Sequence, residues 1–156
     1  MPTVDSTNSY RTVAQIDTFC LNHGLTEWSD ATTYDKETAA LRGMAYIESK
    51  MYKGQKYSST QARKWPRANA TDEDNVAIST ATVPDAIANA QCRAAYEEIV
   101  SSGILQPNLT RDSFTSREKI DVIDISYEQG RNTTAFQAID GYLRGYLLQT
   151  GTLVRC

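Results

Sequence analysis

The sequence predicts a mainly α protein, a small bundle of about four helices with one short β element and an extended strand arm. Three observations predict it. Apolar residues recur every three to four positions in four separate stretches. Capping residues precede these stretches, and glycines follow most of them. One stretch, 114–127, alternates with period two instead. The chain has 156 residues, which suits one domain with its own core. Residues 1–9 are expected to be a flexible arm, 10–150 the helical domain and 151–156 a C-terminal tail.

The first helix lies in "TVAQIDTFCLNHG". Thr12 with Gln15 three residues on forms a capping box, Val13, Ile16, Phe19 and Cys20 make the apolar stripe, and Gly24 is the left-handed stop. The second helix starts at Thr33 and spans about 35–52, with Leu41, Met44, Ala45, Met51 and Tyr52 among its helically spaced residues. Gly43 inside it either weakens the helix or allows close packing. A short helical turn capped by Ser59 must stop at Trp65, because Pro66 disfavours helical angles in the residue before it. Residues 68–82 read as a loop with a short strand at 76–78, and Asn75 supplies a turn.

The third helix, "VPDAIANAQCRAAYEEIVSSG", has Pro84 in its first turn and Gly103 beyond its last. Its face of Ala88, Cys92, Ala95, Tyr96 and Ile99 is rich in small residues, so a neighbouring helix can come close. In 114–127, Ile123, Ile125 and Tyr127 point to one side of a strand that lacks a strong partner in the chain. Its partner is either the weak 76–82 segment or a sister subunit. The last helix carries Phe136, Ile139, Leu143, Tyr146 and Leu147 and ends at Gly151.

Composition bounds the chemistry. The net charge is −3, without the basic excess of a dedicated duplex binder. Cys20, Cys92 and Cys156 lie far apart and His23 is the sole histidine, so neither a zinc site nor a catalytic set is expected. Cys92 among alanines reads as a small core residue. Asp72-Glu73-Asp74 lacks the glycine and distal glutamate of a calcium loop and reads as a solvated acidic loop. The start has no signal-peptide pattern, and no apolar run is long enough to span a membrane. The expectation is a non-enzyme without a cofactor.

The stretch "YKGQKYSSTQARKWPR", 52–67, admits two readings. Tyr52, Tyr57 and Trp65 interleave with Lys53, Lys56, Arg63, Lys64 and Arg67, a pattern that could stack and clamp a single strand of nucleic acid. In the other, preferred reading, Trp65 and Tyr52 anchor the core, Pro66 fixes the exit direction, and the charges lie beside them.

The order of these features resembles a bacteriophage family often labelled DnaT-like, whose role is taken to be the head–tail adaptor. The resemblance runs through Asn8, Ser9, Tyr10, Gly24 and Trp28, then "ALRGMAYIE", Gly54, "QARKWPR", "VPDAIANAQCRAAYE" and "EKIDVIDISYE", most of residues 8–150. Arg63 stands where the family has Leu, and Asn75 where it has Gly. The resemblance implies a structural virion protein of the phage neck, a ring of about twelve copies below the portal. DNA would pass through its lumen, with portal, tail and neck proteins and sister copies as partners. Within that reading, Trp65, Pro66 and Arg67 form a structural corner or interface. The tail Leu153, Val154, Arg155 and Cys156 docks on the portal. The loop Asp72, Glu73 and Asp74 faces lumen or tail, and Ile123, Ile125 and Tyr127 lie on an intersubunit strand. The acidic balance would suit a conduit that repels DNA. The alternative is the label's own meaning, a single-stranded DNA-binding replication accessory protein using Trp65, Tyr57 and the nearby cations.

Overall fold

A computed structural model describes residues 2–106, 117–120, 123–126 and 136–148. It is mainly α with short β elements, as expected. Helix α1, Val13–Asn22, starts on the anticipated capping box. Thr12 Oγ1 accepts from Gln15 N, and Gln15 Oε1 accepts from Thr12 N. The chain leaves at Gly24 with φ of +67°. A four-residue helix α2, Glu27–Asp30, follows, and nothing in the periodicity announces it. It buries Trp28, whose Nε1 donates to Asp17 at 2.6 Å.

Helix α3, Thr33–Ser49, starts at the expected Thr33, is capped by Thr32 and stops short of the expected 52. Tyr52 fits the helical stripe by spacing, yet it is buried in extended backbone paired with Leu147. Its hydroxyl donates to Ile47 O, a last-turn carbonyl that also accepts from Lys50 N. Helix α4, Asp85–Val100, follows Pro84 directly and packs along α3. Gly43 is the point of closest approach, since a Cβ there would lie 2.7 Å from Ala95 N. Of the two roles the sequence allows for Gly43, close packing is therefore the operative one.

Strands β1, Gln55–Lys56, and β2, Arg67–Ala68, form an antiparallel ribbon with Lys56 opposite Arg67. Gly54 opens it with φ of +71°, where a Cβ would strike Ala68 O at 2.4 Å. The helical turn expected at Ser59 does not form. Instead the Gln61 side chain ties the loop, accepting from Ser58 N and donating to Arg63 O and Pro66 O. The expected strand at 76–78 reduces to one bridge, Thr71 with Ala77. Asn75 does take a positive φ, +63°.

The single strand expected over 114–127 is two strands. β3, Arg117–Ile120, pairs antiparallel with β4, Ile123–Ser126, so Ile123 faces Ile120 and Ile125 faces Glu118 in register. The backbone of β4 therefore finds one partner strand in its own chain, where none of this strength was expected. Register partners share a face, so the reversal puts position 120 on the side of 123 and 125, a change of phase that the alternation within 123–127 does not sample. Tyr127 lies outside the described residues. Helix α5, Gln137–Leu143, buries Ile139 and Leu143 and gives way to a turn. The helix thus stops short of the expected Gly151, because Leu147 leaves it to pair with Tyr52.

Two buried clusters result. One joins Tyr46, Ile47, Tyr52, Trp65, Ile87, Ile139 and Leu143. The other joins Ile16, Phe19, Cys20, Trp28, Cys92 and Tyr96. Burial pushes the Cys20 thiol up to about 11 and Cys92 up to about 12, so both stay protonated and weakly nucleophilic. The wholly buried Gln91 was not foreseen. It accepts from Tyr10 N and donates to Ser9 Oγ and Ala40 O, which stitches residues 9–10 to α3 and α4. No described helix is long and apolar enough to cross a membrane.

Candidate functional site

The segment 50–71 is where charge gathers. It holds six cations, Lys50, Lys53, Lys56, Arg63, Lys64 and Arg67, and no Asp or Glu, in a chain whose net charge is −3. The summed charge hid this patch from the composition. Read locally, the sequence shows five of the six, and Lys50 is the addition.

Gly54, the Gln61 ties and the Trp65–Pro66 corner shape this segment into a ribbon and loop standing on α3. Trp65 is 1% exposed. Its ring lies between the edges of Tyr52, at 5.6 Å, and Tyr146, at 5.8 Å. It cannot receive a nucleobase, so the indole named in the single-strand reading belongs to the core. The peptide bond from Trp65 to Pro66 is cis. Arg67 is also buried. Its Nε donates to Lys53 O at 2.7 Å and its Nη2 to Gly54 O at 2.6 Å, with longer bonds to Lys64 O and Tyr52 O. These carbonyls lie at the turns entering and leaving the ribbon, where no ladder serves them. Arg67→Ala strands them and is expected to lower stability by about 2 kcal/mol in denaturant unfolding. Arg67→Lys should recover little, because one ammonium cannot span the fork of a guanidinium.

The loop is also fastened to residues 9–10. Glu48 accepts from the Tyr10 hydroxyl and from Lys64 N at 2.8 Å, and Trp65 N donates back to the Tyr10 oxygen. Burial, then the Glu48 carboxylate, holds the Tyr10 phenol far above its ordinary range. The Arg63 guanidinium lies 4.7 Å from the Tyr10 ring centre and donates to Ser9 O at 2.6 Å. Lys64 Nζ donates to Lys50 O, Lys56 Nζ to Gln61 O, and Lys53 Nζ to Asp72 O. Lys50 Nζ sits over the Tyr46 ring.

These contacts share one property. The side-chain cations donate to carbonyls or a hydroxyl or lie over aromatic faces, all neutral, and Glu48, the carboxylate of this network, meets Lys64 through its backbone N–H. The ion pairs among the described residues are Arg11–Asp85, Lys36–Asp17, Arg42–Glu98 and Arg93–Glu97, and none includes a cation of 50–67. The patch is oriented by hydrogen bonds without being neutralised. Tyr57 stands out from it, 61% exposed, with Met51 also exposed. A positive surface bearing one projecting ring can hold a polyanion and stack a base.

The other expected site residues fall elsewhere. Asp72 Oδ1 accepts from Asp74 N and Val76 N, which closes a turn. Asp72 and Glu73 lie near Tyr146, whose phenol is raised by burial and then by these two charges. The acidic loop thus bounds the positive patch on one side. Leu153, Val154, Arg155 and Cys156 lie outside the described residues. Among the described residues no cluster of His, Cys, Asp or Glu is placed to hold a metal.

Over residues 2–156 the chain matches the model of a family described as "Putative DnaT-like ssDNA binding protein". No curated protein and no solved structure matches it. This overturns the head–tail adaptor reading and the neck, portal and virion roles attached to it, since the family description names single-stranded DNA. The motifs that carried the resemblance are helix starts, a buried corner and a ladder. They identify a family and a fold, and they specify no partner.

Proposed function

The chain belongs to the DnaT-like family, and from that premise we propose that it binds single-stranded DNA through the positive segment 50–67. The observation that carries the reading is the run of cations, none ion-paired among the described residues, around the exposed Tyr57. Lys53, Lys56, Arg63 and Lys64 contact phosphates, and Tyr57 stacks a base. Trp65 and Arg67 act from beneath by holding the ribbon in shape. The rest of the surface is net acidic, which confines a nucleic acid to this patch and disfavours wrapping of a duplex. The role is that of a replication accessory protein without a reaction of its own.

Anisotropy of a labelled oligothymidylate, titrated with the full chain over a range of salt, tests this. Binding should weaken with a log–log slope of about −3, the value for roughly four phosphate contacts on a single strand. Lys56→Ala should reduce the slope by about 0.7. Tyr57→Ala should weaken binding about tenfold at an unchanged slope. No anisotropy change at low salt, or binding untouched by either variant, overturns the proposal.

A further inference from the structure

A second feature lies along α5, beside Gln137, Ala138, Gly141 and Tyr142. Between α1, α4 and α5 is a cavity of about 430 Å³, within the size range of small-ligand sites. Phe19, His23, Leu25, Arg93, Gln137 and Tyr142 line it. We propose that this cavity seats one nucleobase of a bound single strand, an inference that rests on the single-stranded DNA reading above.

The rings come first. His23 stacks on Phe19 with centroids 4.0 Å apart and planes 25° from parallel, and Tyr142 meets Phe19 edge-on at 6.4 Å. His23 is exposed, and no other ring among the described residues covers its outer face. The Phe19–His23 pair is therefore a stack one layer short, and a flat heteroaromatic ring completes it.

The polar groups come next. His23 Nδ1 lies 2.8 Å from Phe19 O, a carbonyl that can only accept, so Nδ1 donates there and, in that tautomer, Nε2 is the ring's acceptor. Arg93 spends Nη2 on Glu97 at 2.8 Å and lies over the Tyr96 ring. Its Nε is buried with no partner among the described residues. The cavity wall thus offers an acceptor on His23, donors on Arg93 and the two-way amide of Gln137. Nucleobase edges carry both acceptors, as ring nitrogens or carbonyls, and N–H donors, which is the complementary set. An aliphatic ligand would leave His23 and Arg93 unused, and a bare phosphate would not use the stack.

Placement agrees with a shared strand. Past its last turn α5 reaches the positive segment, where Tyr146 O accepts from Lys53 N and the Tyr146 ring packs on Trp65. Tyr142, in the cavity lining, is only four residues from Tyr146. A strand held on the patch can therefore reach the cavity within a few nucleotides.

Amide shifts of the full chain, followed by NMR during titration with deoxycytidine or deoxyadenosine, test the inference without any phosphate. Shifts are expected at His23, Gly24, Arg93, Gly141 and Tyr142. Deoxyribose 5-phosphate at the same concentration should leave them in place. His23→Ala, a change at an exposed side chain, should weaken the nucleoside response about tenfold. Unmoved amides with either nucleoside, equal shifts with the sugar phosphate, or a response indifferent to His23→Ala all overturn the site. Oligothymidylate binding read separately distinguishes the two proposals. A chain that binds the oligonucleotide but not the nucleosides loses only the cavity, and one that binds no oligonucleotide loses the premise.

Discussion

Trp65→Ala is expected to lower stability by about 3–5 kcal/mol, the range for emptying a buried aromatic site. For a chain of this size that is a fall in midpoint temperature of about 10 °C or more. The indole is essentially sealed from solvent, touches the Tyr52 and Tyr146 rings and sits in the larger of the two buried clusters. Its Nε1 has no partner among the described residues, so the expected loss is one of packing rather than of a hydrogen bond. Trp65→Leu separates core from DNA contact. Leucine keeps most of the apolar burial and removes the stacking surface. The folded Trp65→Leu protein should bind oligothymidylate as the parent does, while Tyr57→Ala should keep the parent's stability and lose affinity. A tenfold affinity loss in folded Trp65→Leu would mean that the indole reaches the bases.

Gly43→Val is expected to cost about 3 kcal/mol in urea unfolding, although propensity argues the other way. Glycine inside a helix is about 1 kcal/mol worse than alanine, so a sequence-only argument predicts that filling Gly43 stabilises. The neighbours decide the sign. A Cβ at Gly43 would meet Ala95 N at 2.7 Å, Ala95 Cα at 3.1 Å and Ala94 C at 3.2 Å. All three are backbone atoms of α4 and cannot swing aside as a flexible side chain can. The helices must part, which loosens Ala39, Ala40, Cys92 and Ala95 in the second cluster. Gly43→Ala should still destabilise, with the clash exceeding the gain in propensity. A stabilised Gly43→Ala protein would show that α3 and α4 do not meet this closely.

The proposed contact surface was harder to recognise than the helices, for a definite reason. Its rings were in view, and the preferred reading already put Trp65 and Tyr52 in the core, but the sequence could not say that Tyr57 stays outside. Periodicity assigns residues to faces inside a regular element, and 52–67 is a ribbon and loop in which no period applies. The cavity shares this limit. Phe19 and His23 follow from one helix at i and i+4, whereas Arg93 and Tyr142 come from two other helices and meet them only in the fold.

The sequence by itself determined the helical class, the capping box at Thr12 and Gln15, the reversals at Gly24 and Asn75, and the small-residue face of α4. Each depends on residues within a few positions of one another, where local sterics and local hydrogen bonds dominate. Only the tertiary structure decided that α3 ends before Tyr52, that 117–126 folds on itself, that Gly43 is a contact and that Arg67 serves carbonyls. Those outcomes depend on which distant groups share a dry environment: a buried hydroxyl seeking a helix-end carbonyl, a guanidinium gathering stranded oxygens, two backbones pressed together. The competing local alternatives differ by about 1–3 kcal/mol, and burial of long-range partners is large enough to choose among them.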